Sequence, residues 1–192
     1  MAEKNETLLN KLTIPLITIL FSGIVGSGVA FLFNNLEWKS RNEFEQRKSA
    51  QEFKRHEVKR IMKLCQQRHH LSQLIFRYAK SHKFEAAIEA NEEYQIVKTE
   101  WNQDIYINQL ILNKYFAENP QIAATFYQEN FLSLGEQKIV HAEFYELNRE
   151  IFKTVTAIKQ GDIPSNLETF EEKLKKSDKV IKHFFELLIS EY

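Results

Sequence analysis

Residues 12–33 read LTIPLITILFSGIVGSGVAFLF, an uncharged apolar run bracketed by Lys11 and Glu37. A helix rising about 1.5 Å per residue carries this run across roughly 33 Å, enough for a hydrocarbon core of about 30 Å. It reads as one span of a lipid bilayer. A cleaved secretory signal fits less well, because the apolar region of a signal is about 7–15 residues and closes on small residues. Here the run continues past Gly28-Val29-Ala30 through Phe31, Leu32 and Phe33. Lys4 and Lys11 precede the span, whereas Lys39, Arg41, Arg47, Lys48 and Lys54 follow it closely. The positive-inside bias therefore places the C-terminal domain in the cytoplasm, which makes this a single-pass protein of a cell membrane, the bacterial inner membrane being the expected one.

Within the span, Ser22, Gly26 and Ala30 recur every four residues, and Gly23 and Ser27 form a second small pair beside them. Small residues at that spacing let helix backbones approach closely in lipid, so the expected partner is a second copy of the chain, in a homo-oligomer. Pro15 is expected in the first turn of the helix, where a missing N–H costs little. Trp38 suits the headgroup level. No ionisable residue lies in the run, which argues against a proton relay or a charged selectivity ring in the membrane.

The remaining sequence predicts an all-α protein. The chain of 192 residues has only five Gly and three Pro, and few alternating runs,. Four segments follow: an N-terminal tail at 1–11, the transmembrane helix at 12–33, a charged helical stalk at 34–57 and a cytosolic antiparallel bundle of about four helices at 58–192. A balance of 26 Lys and Arg against 26 Asp and Glu gives no support to a general nucleic-acid or acidic-partner role,. The single Cys65 excludes an internal disulfide and fits a reducing compartment,.

A long helix is expected to run from Leu36 to about His82, its apolar stripe thickening at Val58, Ile61, Met62, Cys65, Leu71, Leu74, Ile75 and Tyr78. The second helix shows the clearest periodicity, with Phe84, Ala87, Tyr94, Val97, Trp101, Ile105, Leu112, Tyr115 and Phe116 on one side and Asn108 as a buried polar candidate. Asn119-Pro120 opens the third segment, interrupted at Gly135, where Ser133 and Glu136 suggest a capping box. A longer piece runs on to about Lys159. Gly161-Asp162-Ile163-Pro164 is the strongest turn, and Ser165 with Glu168 suggests another capping box for a last helix carrying Leu167, Phe170, Leu174, Ile181, Phe184 and Leu188.

Charge segregates between the first two helices. Arg60, Lys63, Arg68, Arg77, Lys80 and Lys83 stand in a stretch with no acid, and Glu85, Glu89, Glu92, Glu93, Glu100 and Asp104 dominate the next. Two complementary neighbours explain this pattern, and so does a basic surface for a cytosolic protein or RNA partner. No Walker loop, HExxH, paired-Cys zinc spacing or GxSxG elbow is present, so no cofactor and no metal are expected. Adjacent His69 and His70 point about 100° apart on a helix and cannot easily share an ion.

Arg77-Tyr78-Ala79-Lys80-Ser81-His82 is an Arg, four residues, then His, and it resembles the RxxxxH signature of HEPN ribonucleases. That resemblance implies a helical bundle acting as a dimer, with Arg77 contacting phosphate and His82 at the scissile position; Tyr78 departs from the polar residue common after the Arg. A single N-terminal span, a helical cytosolic bundle and a degenerate RxxxxH together also resemble the membrane accessory protein of RNA-targeting type VI CRISPR systems. This second likeness implies an oligomeric pore that depolarises the membrane in phage defence. The expected function is assembly at the membrane and not chemistry, with a membrane-tethered HEPN-like ribonuclease or a passive adaptor for a cytosolic partner as alternatives.

Overall fold

The structure is a computed structural model that describes the backbone of residues 3–127 and 139–191, with side chains at Phe31 and at most positions from 34 onward. Five helices follow one another: α1 (Glu3–Lys80), α2 (Phe84–Tyr115), α3 (Pro120–Phe126), α4 (Val140–Lys159) and α5 (Leu167–Ile189). The described residues contain no strand, as the scarcity of Gly, Pro and alternating runs predicts. They divide into two units, 1–53 and 54–192.

The first unit is helical throughout its described length. α1 begins at Glu3, so Pro15 lies inside a helix and not in its first turn; it has no N–H to offer the carbonyl four residues earlier,. The side chains of residues 12–30, 32 and 33, on which the expected span and its small-residue stripe rest, lie outside the described residues. Among those described, no helix is long and apolar enough to cross a membrane. Phe31 within the run and Leu36, Trp38 and Phe44 beyond it are exposed, and Arg41 pairs with Glu37 one turn away at 2.7 Å.

In the second unit, α1 contributes a seam of alternating three- and four-residue steps: Val58, Ile61, Cys65, Arg68, Ser72, Ile75 and Ala79 are all buried. This 3.5-residue period is the spacing at which antiparallel helices pack side chain into gap. α2 answers with buried Ala87, Ala90, Tyr94, Trp101, Ile105, Asn108 and Leu112. The hairpin is antiparallel, because Arg60 reaches Asp104 while Arg68 reaches Tyr94. Its turn is tight: the Lys83 amide donates to the Tyr78 carbonyl at 2.9 Å, and His82 takes a left-handed φ of 55°. Asn119 precedes Pro120, the first residue of α3, as the sequence predicts. The expected break at Gly135 and the Ser133–Glu136 box fall in 128–138, outside the described residues.

α4 and α5 form the second hairpin, with Lys176 on Glu143 at 2.9 Å and Lys173 on Glu146 at 3.2 Å. Gly161 turns the chain at φ 83°, the conformation in which a missing Cβ matters,. The expected Ser165–Glu168 capping box does not form. Asn166 is the N-cap, and its side chain leaves the helix end to bond with α4. The Asn166 amide reaches the Glu150 carbonyl and carboxylate at 3.0 and 2.8 Å, and accepts from Thr154 at 3.1 Å. Glu150 is fully buried, so satisfying it outweighs one cap bond of about 1 kcal/mol,.

The C-terminal part of α1 therefore stands in a bundle with α2, α4 and α5, with α3 filling one end. The centre is aromatic: Trp101 meets Phe144 edge-on at 5.0 Å and Phe126 at 5.2 Å, and Phe126 continues to Phe184 at 5.6 Å. Burying a large side chain contributes about 1.5–3 kcal/mol, and each ring pair about 0.5–1.5 kcal/mol more. This cluster is the heart of the fold.

Candidate anion site

The cations expected on one basic face separate in space. Lys63, Arg77 and Lys83 are exposed. Lys80 is exposed and pairs with Glu171 on α5 at 2.9 Å. Arg60 is half-buried and clamps α1 to α2, donating to Glu57 at 2.9 Å, to Asp104 at 2.6 Å and to the buried Asn108. Burial works against the Glu57 charge, but bonds from His56 and Arg60 hold its carboxyl below the ordinary value. Arg68 is no part of a surface at all: it is 2% exposed. The expected complementarity of α1 and α2 is thus narrow. Among the described residues the ion pair joining them is Arg60 to Asp104.

Arg68 is buried because it occupies the seam, three residues after Cys65 and four before Ser72. Its guanidinium lies 4.7 Å from the Phe144 ring centroid, 5.5 Å from Trp101 and 5.7 Å from Tyr94. Such contacts contribute about 0.5–2 kcal/mol each, against a desolvation penalty of several kcal/mol for a buried ion. Its hydrogen bonds are long: Nε donates to the Tyr94 hydroxyl at 3.3 Å and Nη2 to the Phe144 carbonyl at 3.5 Å,. Nη1 is buried without a hydrogen-bond partner. No carboxylate pairs with it among the described residues.

The cleft that Arg68 lines lies among α1, α2 and α4 and measures about 390 Å³. Lys98 and Asn102 come from α2, His141, Tyr145 and Asn148 from α4, and Tyr127 from the end of α3. Among the described residues no acid lines it. The Trp101 indole N–H donates to His141 Nδ1 at 3.2 Å. Indole nitrogen only donates, so Nδ1 accepts and the neutral imidazole carries its proton on Nε2. Burial, reinforced by the Arg68 charge, pushes His141 down to about 4. The same two causes, in the same order, lower Lys98. The described lining thus offers hydrogen-bond donors and two cations with no negative charge among them, a chemistry that suits an anion and repels a metal ion.

The remaining expected positions do not converge on this cleft. Arg77 ends α1 with its side chain exposed, and exposed His82 lies in the turn after it, 5.7 Å from the Phe84 ring. Arg77 lines a separate shallow cleft with Gln73, Phe76, Glu171 and Asp178. His69 and His70 divide: His69 is buried between Gln73 at 2.9 Å and Ser177 at 3.2 Å, and burial, partly offset by Asp178, lowers its pKa. His70 is exposed. Among the described residues no three metal-binding side chains cluster. The sequence reading sets Arg68 on the basic face; the seam period, which puts it three residues after Cys65, is the signal that could have found it. Comparison with family models, curated proteins and solved structures returns no match, so this cleft is interpreted from its own side chains alone.

Proposed function

We propose that this chain is a single-pass, membrane-anchored helical protein that self-associates and acts by assembly at the bilayer. The observation that carries the reading is the continuity of α1, which runs from Glu3 to Lys80 without a break. The uncharged sequence at 12–33 therefore has helical backbone and leads directly into a helix of the bundle. A helix satisfies its own backbone groups, which is the condition for entering lipid. Gly26, with Ser22 and Ala30 one turn to either side, gives that helix a small-residue stripe for packing on another copy. In its most concrete form the assembly is a pore or effector in phage defence, as the likeness to the CRISPR membrane accessory protein implies, with the bundle on the cytoplasmic side receiving the signal.

The test is the particle mass of the detergent-solubilised full-length protein by light scattering, beside Gly26→Leu. A discrete oligomer that falls apart in the variant supports the proposal. A monomer in both samples refutes assembly and leaves an adaptor. Arg77→Ala and His82→Ala leave assembly unchanged on this reading, and loss of an RNA-cleaving activity in both would replace it with the ribonuclease.

A further inference from the structure

We propose that the cleft lined by Arg68 binds a small phosphate monoester, with the phosphate between Arg68 and Lys98 and the organic part against the tyrosines that line it. The inference is independent of the membrane reading, since every residue it uses lies in the bundle.

The first argument is the unspent guanidinium. Arg68 is 2% exposed and its buried Nη1 donates to nothing, although an orphaned buried donor costs about 1–3 kcal/mol and more when charged,. A protein interior rarely retains such a group, and a methionine of similar length would fill the seam without the penalty. The second argument is the composition of the wall. Lys98 faces the same cleft as Arg68, Asn102 and Asn148 add neutral amides, and among the described residues no carboxylate lines it. A guanidinium fork beside a point ammonium is the combination that matches the several oxygens of a phosphate, where a carboxylate offers only two.

The third argument concerns size. A space of about 390 Å³ exceeds what a bare phosphate fills and lies in the range of small-molecule sites,. Tyr106, which is exposed, and Tyr127, which is buried, stand edge-to-face at 5.6 Å in its wall, and Tyr145, 46% exposed, lines it as well. Aromatic side chains in the lining favour a planar organic group over a sugar alone. Adenosine 5′-monophosphate is therefore the probe, and inorganic phosphate tests the anion subsite by itself.

The experiment is isothermal titration of the full-length protein with each probe at constant ionic strength, with sodium chloride as the control. Expected are saturable binding of inorganic phosphate, tighter binding of the nucleotide, and no response to chloride. Arg68→Met should abolish both responses while leaving thermal stability equal or higher, the mark of a charge kept for a ligand. Lys98→Gln, at a half-buried position where the Lys98 ammonium otherwise donates to Gln95 on its own helix, should weaken both by about tenfold or more,. Absence of saturable phosphate binding overturns the proposal, as does unchanged binding in Lys98→Gln. Should Arg68→Met fail to fold, Lys98→Gln decides by itself: weakened binding of both probes supports the site and unchanged binding rejects it.

Discussion

His141 shows how a single buried ring ties stability to pH. Its folded pKa is held near 4, against about 6.5 in an unfolded chain,. Between those values the unfolded state binds a proton that the folded state refuses, so the bundle loses stability as pH falls from about 6.5 toward 4. The full contribution is about 3 kcal/mol at most. His69, lowered mainly by burial, acts in the same direction. Glu57, Glu150 and Glu171, all held below their ordinary values, add their losses only below about pH 4.5,. The interval from 6.5 to 4.5 therefore belongs to the histidines. His141→Gln, whose amide oxygen can still accept from Trp101, should flatten the fall in urea-unfolding free energy across that interval. An unaltered slope would assign the whole effect to His69.

At the scale of elements, one amide ties the start of α5 to the middle of α4. Asn166 satisfies both the carbonyl and the carboxylate of Glu150, a residue with no exposure. Asn166→Ala leaves a buried charged acceptor short of a donor and should cost about 3 kcal/mol, more than the loss of a cap. Gly161→Ala meets nothing within 4 Å of the added Cβ, yet its φ of 83° penalises any side chain, so about 1 kcal/mol is expected,. Chemical denaturation of the two variants ranks them, and the reverse order would show that backbone strain outweighs the buried carboxylate. The contrast also marks what was legible in sequence. Gly161 announces its turn by residue type alone. The apolar seams of α2 and α5 are equally plain, because a period near 3.5 records which side faces the core. The Ser165–Glu168 box failed since capping signals are local, and a buried Glu150 sixteen residues earlier claimed Asn166 instead. Arg68 was misassigned for a related reason: a run of cations looks like a surface unless each is placed on the heptad first. Charge type alone does not say whether a residue faces water, but its register does.

For the molecule as a whole, the proposed anchor makes a topological prediction that the chain is well suited to test. Cys65 is the only cysteine, it has no exposure, and burial pushes its thiol well above the ordinary range, so it stays silent toward maleimides in the folded protein,. A cysteine introduced elsewhere then reports without background. Ser190, exposed just past α5, marks the bundle, and Lys4 marks the opposite end of α1. If the uncharged run is the anchor, the five cations closely following it and the two before it would put the bundle on the cytoplasmic face by the positive-inside bias,. Lys4→Cys should therefore react with a membrane-impermeant maleimide on intact cells, and Ser190→Cys only after the membrane is opened or inverted. The opposite pattern would reverse the orientation and place the Arg68 cleft outside the cell, away from cytosolic phosphate esters. Labelling of both positions in intact cells would mean that the run does not cross the bilayer, and the protein would have to act without the anchor proposed for it.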